Sequence, residues 1–160
     1  MLFRILSLIV LFFILTNYSY SAATSTGETE SNYDKAAKLI KTAKKYESKG
    51  KDKKAKKRYE RALKFLVKSN KEKPNQADTL NYLGFATRKL GDYEKGEKYY
   101  LLGLEIDPNH KGINEYLGEL YVVTNRIDLA KQRLDVLKNC NCEEYNELKE
   151  IIEGKKTSKY

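Results

Sequence analysis

The chain has 160 residues, with 31 Lys and Arg against 22 Asp and Glu, for a net charge of +9. Two cysteines and one histidine cannot complete a four-ligand zinc site. No phosphate-binding glycine loop, nucleophile elbow or paired-carboxylate motif occurs, so neither an enzyme nor a cofactor or metal protein is expected.

The first segment reads as an address. Arg4 supplies one positive charge, Ile5 to Leu15 is almost wholly apolar, and Ser21-Ala22-Ala23 offers small residues. That order is the signal-peptide order, with cleavage after Ser21 or Ala23. The 11-residue apolar run would span only ~17 Å as a helix, short of a hydrocarbon core of ~30 Å. An uncleaved anchor is the rival reading. Residues 1–23 are therefore expected to be removed on export to the periplasm or outside the cell, and no later segment is apolar enough to span a membrane. Residues 24–32 are small and polar, and are expected to be a disordered lead.

Helical periodicity starts near Tyr33. Ala36, Leu39, Ile40, Ala43 and Tyr46 share one face, Gly50 ends the helix, and a partner carries Ala55, Tyr59, Ala62, Leu63, Leu66 and Val67. This helix pair matches the next one after a shift of 41 residues, which sets Leu39 on Leu80, Gly50 on Gly91 and Tyr59 on Tyr100. The later repeat is shorter: Tyr82-Leu83-Gly84 returns as Tyr116-Leu117-Gly118, 34 residues on. The seven extra residues are expected in Lys68 to Gln76, as a longer second helix and a loop at Pro74-Asn75, with Asn75 capping the next helix. Gly91 and Asn125 are expected to turn the chain within the two later repeats. Leu83, Gly84, Tyr100, Leu117, Gly118, Ala130 and Leu134 form the expected core of these repeats, and Gly96 and Gly103 imply close helix contact or local softness. Asn141 precedes Glu144 at capping-box spacing, and the last helix should face Tyr145, Leu148, Ile151 and Ile152 inward with Glu143, Glu147, Glu150 and Glu153 outward.

With these residues in place, residues 77–138 resemble tetratricopeptide repeats. Leu83, Gly84, Gly91, Tyr93, Tyr100 and Pro108 carry the pattern in one repeat, and Leu117, Gly118, Tyr121 and Ala130 in the next. The resemblance implies an all-α, right-handed solenoid of about three helix–turn–helix repeats, near 36–69, 77–110 and 111–144. A capping helix over 143–153 closes a domain of residues 33–153, and 154–160 is a basic tail. The end of the chain, Cys140-Asn141-Cys142-Glu143-Glu144-Tyr145, is similar to tails of small exported bacterial members, in which two cysteines flank the loop before a final helix.

In this family the first helices line a concave groove for a peptide or a partner's helix. Counted from the Leu-Gly positions, the expected groove residues are Asp78, Asn81, Phe85, Arg88 and Lys89, then Glu115, Glu119 and Val122, with Ile40, Lys44 and Glu47 in the first repeat. The family's clamp for C-terminal carboxylates is not reproduced. His110, beside Pro108-Asn109, reads as a structural junction residue. Cys140 and Cys142, two residues apart in an exported chain, are expected to be joined, with a redox role as the alternative.

Charge is unevenly spread: residues 33–76 hold 17 Lys and Arg against 5 Asp and Glu, and residues 77–160 hold 13 against 15. The basic end is either a solvated face or a site for anionic envelope lipid or polysaccharide. Lysines outnumber arginines 25 to 6, against bidentate phosphate recognition, and no nucleic-acid partner is expected. The expected function is an exported protein-interaction module, a scaffold or adaptor; the alternative is a binder of anionic envelope material.

Overall fold

A computed structural model describes residues 30–158; the expected signal peptide and most of the expected disordered lead lie outside them. Seven helices, and no strand, occur among the described residues: α1 (Asn32–Glu47), α2 (Asp52–Glu72), α3 (Ala77–Lys89), α4 (Tyr93–Ile106), α5 (Lys111–Val123), α6 (Ile127–Leu137) and α7 (Glu143–Ile152). They stack as three antiparallel hairpins, α1–α2, α3–α4 and α5–α6, with α2 against α3, α4 against α5, and α7 resting on α5 and α6. This is an all-α repeat solenoid. Among the described residues no helix is long and apolar enough to cross a membrane.

Turn chemistry sets the hairpins. Gly50, Gly91 and Asn125 take positive φ of 64°, 95° and 59° between the two helices of each repeat. Ser31 accepts a bond from the Asp34 amide at 3.1 Å, so α1 begins at Asn32, inside the segment read as a lead. Two expected caps are displaced. Asn75 sits in the left-handed region at φ 58°, and Gln76 becomes the N-cap of α3. Asn141, at φ 46°, likewise turns the chain, and Cys142 caps α7 without a side-chain bond. In both places the link needed a left-handed residue, which asparagine supplies at low cost, and a left-handed residue cannot also be an extended N-cap. The longer first repeat lies in its second helix: α2 has 21 residues and α4 has 14.

Packing explains the small residues. A Cβ on Gly84 would lie 2.6 Å from the buried Tyr100 ring, and one on Gly118 would lie 2.5 Å from Leu148. Gly96 packs on the α3 backbone and Gly103 on Ile113, so both serve close contact. Leu134 stands 34 residues after Tyr100 but is only half-buried. The slot that Tyr100 fills over Gly84 is filled over Gly118 by Leu148 of α7, which is fully buried. Arriving from the next element, Leu148 leaves Leu134 at the margin and Leu137 inside.

A candidate binding groove

The inner layer of the stack is α1, α3 and α5. Each presents residues spaced three or four apart, which lie on one helix face: Lys44 and Glu47 from α1, Phe85, Arg88 and Lys89 from α3, Glu115, Tyr116 and Glu119 from α5. These line a groove of about 1100 Å³. The start of α2 closes one side with Tyr59, and α7 closes the other with Glu143, Glu144 and Glu147.

Its floor is a cation set among aromatic rings. The Arg88 side chain is fully buried; it donates to the Tyr116 carbonyl and stands 3.6 Å from the Glu119 carboxylate. Its guanidinium lies 5.6 Å from the centroids of Phe85 and Tyr116 and 5.8 Å from that of Tyr100, within cation–π range. A charge this deep persists because ion pair, carbonyl and ring faces replace its water. Around it, Lys89 pairs with Glu47 at 2.8 Å, and Tyr59 donates to the same carboxylate at 2.9 Å. Lys44 donates to the Tyr116 hydroxyl at 2.8 Å and lies 4.5 Å from the Phe85 ring centroid. These bonds tie all three repeats together.

The opposite wall is acidic. Glu115, Glu119, Glu144 and Glu147 converge from α5 and α7. Burial, and then the neighbouring Glu119 charge, pushes the Glu115 carboxyl up to about 8. Burial also raises Glu119, against the opposing pull of Arg88 and Lys44. Among the described residues Glu115 has no hydrogen-bond or ion-pair partner of its own, so this wall is suited to receiving a cation.

The expected groove residues divide. Phe85, Arg88, Lys89, Glu115, Glu119, Lys44 and Glu47 come together in this groove. Asp78 and Asn81 line a shallower recess of about 560 Å³ beside His110, with Asp78 3.1 Å from the imidazole. His110 caps α5, its Nδ1 accepting from the Ile113 amide at 3.1 Å. Val122 and Ile40 line neither, because both pack into the core layer. Tyr116, Tyr59 and the α7 glutamates were not expected in the groove. Tyr116 belongs to the repeated Tyr-Leu-Gly tripeptide, a signal that could have placed it. Glu147 was expected outward; it is half-buried and bonded to Lys156, because α7 lies against the open edge of α5 with that face toward the groove. Cys140 and Cys142 lie at disulfide distance, Cα atoms 5.2 Å apart, in the turn between α6 and α7, and neither lines the groove.

No family model matches the chain, and no curated protein does. Solved structures do. The first TPR domain of Spaghetti (RPAP3), bound to the HSP90 peptide SRMEEVD, is 20% identical over 79% of this chain and 97% of that one, with a TM-score of 0.53. The Sgt2 TPR domain from Aspergillus fumigatus is 16% identical over 79% of this chain and 82% of its own, with a TM-score of 0.56. The type III secretion translocator chaperone SycD from Yersinia enterocolitica is 17% identical over 76% and 83%, with a TM-score of 0.55. The chain therefore has the tetratricopeptide repeat fold.

Proposed function

We propose that this chain is an exported protein-interaction module, a scaffold or adaptor that takes a peptide or partner segment in its concave groove. The observation that carries the reading is the groove itself: aromatic faces and a buried arginine on the floor, with an under-compensated carboxylate wall beside them. Such a surface offers apolar area for affinity, with the buried arginine and the ionisable wall for register. Two domains of similar fold were solved with peptides, SRMEEVD of HSP90 and SGPTIEEVD of HSP70. Those peptides end in acidic residues. Here the α5–α7 wall is itself acidic, so the favoured segment carries lysine or arginine on that side. Export rests on the Arg4, Ile5 to Leu15 and Ser21-Ala22-Ala23 sequence, and N-terminal sequencing of the mature chain checks it: a start near Ala22 or Thr24 supports export, and retention of Ile5 to Leu15 removes it.

One observation favours a second reading. Among the described residues no lysine of α2 is ion-paired, and most stand exposed on that helix, a surface for anionic lipid or polysaccharide. Photo-crosslinking residues at Lys44 in the groove, at Lys64 on α2 and at exposed Leu102 on α4 separate the two. The groove reading expects protein adducts from Lys44 that persist when salt is raised. Adducts confined to Lys64 that vanish with salt would overturn it in favour of the charged surface.

A further inference from the structure

The chain does not leave the molecule where α7 ends. Gly154 takes a φ of 70°, and the amides of Lys155 and Lys156 return to the Glu150 carbonyl at 2.9 and 3.2 Å. That closure reverses the direction of the backbone, and glycine permits it without strain. Lys155 pairs locally with Glu153 at 2.7 Å, and among the described residues the reversed segment makes two side-chain contacts with the groove wall. The Lys156 ammonium meets the Glu147 carboxylate, and the Ser158 hydroxyl donates to Glu119 at 3.4 Å. Lys156, Thr157 and Ser158 all line the groove. A segment readable from the sequence only as a basic tail is thus set against the carboxylates from α5 and α7.

We propose that residues 155–158 are a strap: the chain's own tail occupies the α5–α7 end of the groove and competes there with the partner segment. This rests on the groove being the binding site. The strap has the chemistry that the acidic wall selects, a lysine followed by hydroxyl residues. Its two contacts are individually weak, one ion pair between partly exposed groups and one long hydrogen bond. Being tethered, it nevertheless acts at an effective concentration on the order of millimolar. A partner that binds only weakly is kept out, and one that also engages the Phe85, Tyr116 and Lys44 floor displaces the strap. Affinity for partners is therefore set partly by the tail.

The test uses the free peptide of residues 154–160 as probe. It is titrated onto two isotope-labelled full-length chains, the wild type and a Lys156→Glu, Ser158→Asp variant whose tail is repelled by Glu147 and Glu119. In the variant, amide shifts at Tyr116, Glu119 and Glu147 should report a dissociation constant on the order of 0.1 mM, about tenfold tighter than in the wild type, where the tether competes at about 1 mM. Residues 157 and 158 should be as ordered as α7 in the wild type and freely mobile in the variant. Adding Glu147→Lys to Lys156→Glu reverses the pair and should restore order, which guards against a variant that is merely damaged. Equal titration of the two chains, or no binding to the variant, overturns the strap. The crosslinking test fails independently: loss of groove adducts removes the partner reading, while alike titrations remove the strap alone.

Discussion

Glu115 shows what the groove costs the fold. Its carboxyl is held up to about 8 by burial and by Glu119, whereas an unfolded chain ionises it near the ordinary carboxylate value. Between those values the folded state keeps a proton that the unfolded state has lost. The stability tied to that proton is full at low pH and is lost as pH rises through about 8. Glu115→Gln should therefore gain stability over wild type as pH rises from about 5 to about 9, with little difference at the acid end. Urea unfolding of both chains across that range checks the sign, and parallel curves would show that Glu115 titrates as an ordinary carboxylate. A bound cation would draw such a carboxyl back into its charged form, which links this group to the proposed partner. Sequence spacing put Glu115 and Glu119 on one face. It could not show that Glu144 and Glu147 join them, because that depends on how α7 is placed rather than on any local pattern.

At the scale of helices, the elements were legible because periodicity and turn residues agree. Gly50, Gly91 and Asn125 mark three hairpin turns, and all three have positive φ. The seven-residue excess of the first repeat was legible too, and it lies in α2. What misled was local: Asn75 and Asn141 fit a cap by spacing and serve the turn by conformation. The exchange of Leu134 for Leu148 is non-local, since the 34-residue period says nothing about an element outside the repeat. It also gives α7 a measurable role. If Leu148 seals Gly118, Gly118→Leu should overpack that crossing and cost about 1–3 kcal/mol, and Leu148→Ala should cost about 2–5 kcal/mol. The two changes touch one contact, so their combination should be non-additive, with the alanine relieving part of the clash. Wild-type-like unfolding of Gly118→Leu would refute the packing.

For the molecule as a whole, three repeats and a capping helix bury one continuous core and leave the inner layer free to display side chains. Most of the groove was readable from the repeat register, because positions three and four residues along each first helix share a face. Its limits were not. The acidic far wall, the Tyr59 side and the strap come from α7, α2 and the tail, whose places relative to the inner layer depend on packing and on the Gly154 turn. The 34-residue repeat names an architecture, and under the proposed function the groove favours a segment with apolar or aromatic area and a basic residue. The most direct test is to select binders from a random peptide library on the full chain and map the amide shifts that the best binder causes. A partner-binding groove should select sequences enriched in lysine or arginine, with shifts concentrated at Lys44, Phe85, Tyr116 and Glu119 and absent at Leu101 and Leu102 of α4. Binders that shift α2 and α4 and leave those four groove residues unmoved would contradict it.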